Sequence, residues 1–334
     1  MGPLLFLLYI NDILNCSKLG IFVLFADDTN IFIKGKNLAD VFQKANEILS
    51  SVHTYVKLNE LHINTSKSCY MHFNPRQRGN TSDSDSFTLQ MNDIPIKHVK
   101  STRFLGVIID DKLSWKEHID HLTKKLKCQA GVINRIKDCV PKEFHRDLYY
   151  TLFESHLSYC ISVWGGVSQN KINPLFIVQK KCLRILFGDK EKFLNKFKTS
   201  SMPLDKQLLG ERLYCKEHSK PLFKSQNIMT VHNIYNYHCL MEVFKILKLR
   251  TPISLFSQYN ISNRKETLLL TPLPNTDFIY NSAVLWNSLR TKLNITDFSV
   301  NISLVKSSLK SLILSNQHSL DESEWSDFNF KFLN

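Results

Sequence analysis

The chain has 334 residues, 43% hydrophobic content, 10 Gly and 10 Pro, enough to bury the cores of two or three domains, and it contains no fixed repeat or long low-complexity tract. Its formal charge of +13 is uneven, with 11 Lys/Arg against 10 Asp/Glu in residues 1–110, 17 against 9 in 111–200 and 15 against 11 in 201–334, so the middle third suits either a nucleic-acid partner or a solvated basic face. Eight scattered Cys without a C-x-x-C pair argue against a disulfide framework and fit reduced thiols in an intracellular, non-secreted protein whose nuclear or cytoplasmic address is not encoded here.

Residues 3–14 predict a helix, apolar nearly all round and therefore buried. The run Pro3–Ile10 is too short to span a bilayer, which needs about 20 residues. It also lacks the basic flank and small-residue cleavage site of a signal peptide, so no membrane partner is expected. Residues 21–26 and 30–34 are β-branched and aromatic runs separated by a few polar residues, a hairpin pattern. Asn37 is placed to cap a long amphipathic helix with apolar residues at Leu38, Val41, Ala45, Ile48, Leu49, Val52, Tyr55 and Val56.

Residues 67–73 predict a strand, 75–86 a polar loop, and 87–91, 94–99 and 103–109 further short strands, with a turn at Asn92-Asp93. Helices are expected at 115–137, 142–164, 174–187, 204–219, 231–249 and 302–315. Residues 250–300 carry no clear periodicity. The fold class is α+β.

The hairpin sets the chemical question, because Asp27 and Asp28 sit between Phe22-Val23-Leu24-Phe25-Ala26 and Ile31-Phe32-Ile33. Burying a carboxylate costs several kcal/mol unless it is paired or bound to metal. At an exposed hairpin turn the same pair supplies hard oxygen ligands for Mg²⁺. Two such ions about 4 Å apart activate an attacking hydroxyl and stabilise a leaving pyrophosphate. An ordinary Asp-rich turn gives the same two letters, so the pair alone does not decide.

Four ordered blocks do carry a resemblance. "GPLLFLLYINDI", then "FADDTNIF", then "YVKLNELHINTSKSCYMHF" over 55–73, then "RFLGVIIDDKLSWKEHI" over 103–119 resemble the reverse transcriptase of jockey-like non-long-terminal-repeat retrotransposons. The third block follows W-x-x-x-N-x-L-x-L-N-x-x-K-T, with Tyr55, Ile63 and Ser68 at the Trp, a Leu and the Thr positions. "LSYCISVWGG", "VQKKCLRILFG" and "AVLWNSL" are similar to the family's C-terminal region.

The resemblance implies a partial right-hand polymerase palm of antiparallel hairpins and packed helices over 1–112, a helical, basic thumb-like region over 113–200 and a mostly helical C-terminal region over 201–334. It implies RNA-directed DNA polymerase chemistry with Mg²⁺ or Mn²⁺, an RNA template, a DNA primer and deoxynucleoside triphosphates. Asp27 and Asp28 take the metal-binding positions. Lys67 takes the position near the triphosphate, as a general acid, though a strand-end lysine reads the same way. Phe104, Leu105 and Gly106 take the primer-grip hairpin, with core packing an equal reading for the first two. Lys116, Lys124, Lys125, Lys127, Arg135 and Lys137 would meet backbone phosphates, with Lys180, Lys181 and Arg184 extending that surface.

Two other residue groups compete for a metal. Asp110-Asp111 reads as a structural pair at a strand end. Cys215, His218, His232, His238 and Cys239 loosely echo a zinc finger, but His218 stands where a Cys belongs, so no zinc is expected. The family palm also uses a carboxylate from a strand before the Gly2-Pro3 turn. The expectation is therefore a fragment with little polymerase activity alone, or a non-catalytic nucleic-acid-binding module acting through the basic region.

Overall fold

A computed structural model describes residues 1–73, 87–92, 94–189, 219–262, 265–270, 278–289, 292–293, 295 and 300–319. Helix and strand are mixed. The chain divides into two compact units, Met1–Ser114 and Trp115–Asn334. Among the described residues no helix is long and apolar enough to cross a membrane.

The first unit is ordered α1 (Gly2–Ile10), a 3₁₀ turn Asn11–Asn15, β1 (Ile21–Phe25), β2 (Asp28–Phe32), α2 (Leu38–Leu58), β3 (Cys69–Tyr70), β4 (Gln90–Met91), β5 (Ile94–Pro95), β6 (Lys97–His98), β7 (Ser101–Phe104) and β8 (Val107–Asp110). The Asn37 side chain accepts from the Asp40 amide at 2.8 Å and caps α2 as expected. Phe42, Ala45, Ile48, Val52 and Val56 bury one stripe of that helix. Leu89, Met91 and Ile96 pack with the stripe, and Phe22, Leu24 and Ile31 of the hairpin lie against it. Phe42 anchors the cluster by stacking on Phe87 at 5.2 Å and meeting Tyr70 edge-on at 5.7 Å.

Three expectations need correction in this unit. The first helix forms but is not buried: Leu4, Leu5, Leu7 and Leu8 are 62, 58, 47 and 66% exposed, and of α1 and its 3₁₀ turn only Ile10 and Ile13 reach the core. A helix apolar all round buries only the sides its neighbours cover. This one is held through Ile10, Ile13 and the Tyr9 hydroxyl, which donates to the Asn59 carbonyl. The strand at 67–73 shrinks to Cys69–Tyr70, because Asn64–Ser68 is spent on a tight turn. The strand at 103–109 is a hairpin: β7 pairs with β8 through Phe104↔Val107, turning at Leu105 and Gly106 with φ of 45° and 85°. All sheets among the described residues are two-stranded pairs. The expected loop 75–86 lies outside the described residues.

The second unit comprises α3 (Lys116–Ile136), α4 (His145–Leu148), a π-helical turn Tyr149–Glu154, α5 (Ser155–Ser158), α6 (Ile161–Trp164), α7 (Gln169–Phe187), α8 (Lys220–Gln226), α9 (Val231–Leu249), α10 (Ile253–Phe256), β9 (Asn260–Ser262), β10 (Lys265–Leu270), α11 (Phe278–Leu289) and α12 (Ile302–Ser319). α3 buries Ile119, Leu122, Leu126, Ala130 and Ile133 and packs mainly on α7. α9 is buried on most of its circumference. Trp164, fully buried, donates to the Tyr159 carbonyl at 2.9 Å. His145 lies 3.0 Å from the Leu186 carbonyl and 2.9 Å from the Lys137 carbonyl, tying the segment after α3 to the end of α7.

The continuous helix expected at 142–164 is broken. A π-helical turn inserts at Tyr149, and Cys160 takes a left-handed conformation with φ of 51°. α7 begins at Gln169, upstream of the expected 174, since Pro174 sits in the second turn and removes only one backbone bond. The helix expected over 204–219 lies outside the described residues except for its last residue.

Candidate metal and nucleic-acid site

Asp27 and Asp28 occupy the tip of the β1–β2 hairpin. The register runs Ile21↔Phe32, Phe22↔Ile31, Val23↔Asn30, Leu24↔Thr29 and Phe25↔Asp28, so Ala26 and Asp27 form the two-residue turn. Ala26 holds φ of 53°, a left-handed value that favours glycine. The pleat sends Phe22 and Leu24 toward the core and leaves Ile21, Val23, Phe25 and Phe32 on a second face, 62, 38, 61 and 47% exposed. One whole apolar face of the hairpin is therefore open, and no third strand pairs with either edge among the described residues.

Both carboxylates are exposed, and neither makes a hydrogen bond or ion pair with a described residue. Placing them at the tip avoids the desolvation cost and leaves the oxygens free to accept a hard cation. Asp28 closes the ladder on β2 while Asp27 stands in the turn, so one backbone hairpin fixes both. The donor set fits Mg²⁺ or Mn²⁺ in kind and would supply part of an octahedral shell. Among the described residues no three His, Cys, Asp or Glu converge on one point.

Lys67 is exposed in the Asn64–Ser68 turn, where its amide donates to the Asn64 carbonyl at 3.1 Å and side-chain oxygen at 3.2 Å. No hydrogen bond or ion pair joins it to Asp27 or Asp28. Phe104 and Leu105 are half-buried and Gly106 is exposed at the tip of the second hairpin. Asp110 is accounted for: buried, its Oδ1 accepts from the amides of Lys112 at 3.2 Å and Ser114 at 2.9 Å, which organises the turn leaving β8.

On α3, Lys116, Lys124, Lys127 and Arg135 are exposed and recur at spacings that share one helix face; Lys125 is exposed on the flank, and Lys137 is half-buried just past the helix end. On α7, Lys181 is exposed, whereas Lys180 folds over the Phe176 ring at 4.6 Å. Burial, and then the Arg184 charge, hold the Lys180 ammonium below the usual lysine range.

Of the zinc-capable residues, Cys215 and His218 lie outside the described residues. His232 packs edge-on to Phe176 at 5.8 Å, and burial depresses it to about 4. Burial pushes the Cys239 thiol up to about 12, which keeps it protonated and a poor ligand.

Sequence reasoning missed Glu154, an acid ending the aromatic run Tyr149-Tyr150-Thr151-Leu152-Phe153. Its signal was a charge at a helix position that the flanking aromatic residues mark as core.

Residues 1–109 match the family profile described as reverse transcriptase (RNA-dependent DNA polymerase). Over 167 residues the chain is 22% identical to the RNA-directed DNA polymerase from mobile element jockey of Drosophila melanogaster, covering 49% of this chain and 18% of that protein. It is 21% identical over 198 residues to the protein of the same description from Drosophila funebris, covering 56% of this chain and 21% of that protein. The chain thus spans about a fifth of the length of these curated relatives. No solved structure matches it. Over residues 1–109 the chain is thus similar to reverse transcriptases, and over about half its length to those of jockey mobile elements.

Proposed function

We propose that the unit Met1–Ser114 is a palm segment whose β1–β2 hairpin carries half of a two-metal site for RNA-templated DNA synthesis. The observation that carries this reading is the pair of unpartnered, exposed carboxylates at Asp27 and Asp28 on a hairpin inside the family-matched residues. Asp27 and Asp28 would hold the divalent ions, which would supply activation of a primer hydroxyl and charge neutralisation at the departing pyrophosphate. Lys67 donates a proton to, or neutralises, that leaving group. The Phe104–Gly106 turn positions the primer end, and α3 serves as the thumb helix against backbone phosphates. RNA, DNA primer and deoxynucleoside triphosphates are the partners.

The described residues bring no third carboxylate to Asp27 and Asp28. Nucleotidyl transfer by this chain alone is therefore expected to be very weak. Primer extension on an RNA template with Mg²⁺ or Mn²⁺ tests this. Efficient incorporation abolished by Asp27→Ala would mean the ligand set is complete within the chain. Mn²⁺-induced NMR broadening tests the metal assignment itself. Broadening centred on Ala26–Thr29 and lost in Asp27→Asn/Asp28→Asn supports it; broadening elsewhere overturns it.

A second reading rests on the basic face of α3 alone: a nucleic-acid-binding module without catalysis. It is favoured by four exposed cations on one helix side. It requires binding that is indifferent to Asp27 and steeply weakened by salt.

A further inference from the structure

We propose that the cleft between α12, α9 and the π-helical turn Tyr149–Glu154 is a binding site for a phosphate ester of about mononucleotide size. The cleft has a volume of about 400 Å³ and is lined by Glu154, Met229, Tyr237, Lys306, Ser307 and Lys310, among others. That volume falls in the range of small-ligand sites.

Its electrostatics select an anion. Lys306 and Lys310 stand one helical turn apart on α12, with Ser307 between them, so their ammonium groups face the same space. Neither forms an ion pair with a described residue. Lys310 lies 5.4 Å from the centre of the Tyr150 ring, and Arg146 lies 5.6 Å from the same ring, which adds a third cation to this end of the unit. Lysine binds phosphate as a compact point charge, and two lysines one turn apart suit a tetrahedral anion.

Glu154 supplies the independent sign of a missing ligand. The residue is half-buried, but its Oε2 is sealed from solvent and has no hydrogen-bond partner. Leaving such an atom unmatched costs about 1–3 kcal/mol. Burial raises this carboxyl to about 7 against the opposing pull of Lys310, Tyr149 and Arg146, so near neutral pH the protonated fraction donates to a phosphate oxygen. A ligand hydroxyl or amine satisfies the ionised form equally. Tyr237 and Met229, both buried, give the cleft an apolar wall for a base or sugar. Glu154 also sits at the end of a π-helical turn, a distortion enriched at functional sites.

A free nucleotide and the phosphorylated end of a nucleic-acid strand present this same chemistry. The site lies wholly in the second unit and makes no use of Asp27, so its failure would leave the polymerase reading intact, and the reverse holds.

The test is calorimetric titration of the full chain with thymidine 5′-monophosphate, thymidine and a 5′-phosphorylated oligothymidylate. The monophosphate is expected to bind and thymidine not to. Lys306→Gln/Lys310→Gln should weaken the monophosphate by roughly tenfold or more. Ser307→Glu, at an exposed position that leaves packing untouched, should abolish binding by like-charge repulsion. An oligonucleotide bound more tightly than the monophosphate in a Lys306-dependent way identifies the strand end as the source; equal affinity identifies the free nucleotide. No monophosphate binding, or binding unchanged in both variants, overturns the proposal.

Discussion

Gln179 and Gln317, from α7 and α12, grip the same short turn. Gln179 donates to the Met229 carbonyl at 2.9 Å and accepts from the Val231 amide at 2.9 Å. Gln317 donates to the Ile228 carbonyl at 2.9 Å and accepts from the Thr230 amide at 3.0 Å and the Asn233 side chain at 2.7 Å. Four consecutive residues, Ile228 to Val231, therefore have a backbone polar group satisfied by a buried glutamine. Replacing either glutamine with Leu keeps the volume but strands two or three of those groups. Each substitution is expected to destabilise the second unit by about 2–4 kcal/mol. Urea unfolding should show a lower midpoint at unchanged slope. A midpoint unmoved in both variants would mean the turn is held by something else.

Gln179 also donates to the Tyr149 hydroxyl at 2.8 Å, which lies near Glu154 and opposes the rise of its carboxyl. The Glu154 carboxyl is raised from 4.5 to about 7, chiefly by burial. The native state therefore holds a proton that the unfolded chain has released between those pH values. Its contribution to stability is full below about pH 4.5 and is lost as pH rises to about 7, a swing on the order of 3 kcal/mol. His232, depressed to about 4, works in the opposite direction over much of the same range. The clean measurement is thus a difference. Glu154→Gln should gain stability relative to the parent as pH rises from 4.5 to 7, and the gain should level off above 7. A pH-independent difference between the two proteins contradicts the assignment.

Both hairpin tips carry a non-glycine residue in the left-handed region. Ala26, beside Asp27, holds φ of 53°, and Leu105 holds φ of 45° before Gly106 at 85°. A left-handed Ala or Leu costs about 1–2 kcal/mol relative to Gly. Asn tolerates that region at lower cost. Ala26→Gly and Leu105→Asn are each expected to stabilise the first unit by about 1 kcal/mol, less the added chain entropy for glycine. Hydrogen exchange at β1–β2 and β7–β8 amides would register the change locally. Slower exchange confined to the altered hairpin is the expected outcome, and faster exchange in both would show that the strain is absent.

The first hairpin was legible because alternation and turn chemistry agree there: Phe22 and Leu24 face in, and polar residues mark the reversal. The Asn37 cap was legible for the same reason, since an Asn ahead of a three-four apolar repeat has few other uses. The Leu105-Gly106 turn was hidden from strand periodicity because a leucine at positive φ breaks the turn code, and only family resemblance pointed to a hairpin. The π-helical turn at Tyr149 was hidden because one extra residue barely disturbs helical periodicity. The exposure of α1 was hidden because an all-apolar helix does not say what covers it. Glu154 and Lys310 meet only through tertiary packing, so no local pattern announces their cleft.

The face formed by Lys116, Lys124, Lys127 and Arg135 can be tested without any assumption about catalysis. Counterion release makes log affinity for duplex fall with log salt by about 0.9 per phosphate neutralised. Converting Lys124, Lys127 and Arg135 to Gln should therefore flatten that slope by about 2–3 and weaken binding similarly across sequences. All three side chains are exposed, so the fold should be unaffected. Lys125→Gln, on the flank, should change the slope by less than any of the three alone. Asp27→Asn should leave the slope unchanged, since that residue belongs to a separate unit. An unaltered slope in the triple variant would reduce this face to solvated charge and remove the thumb assignment with it.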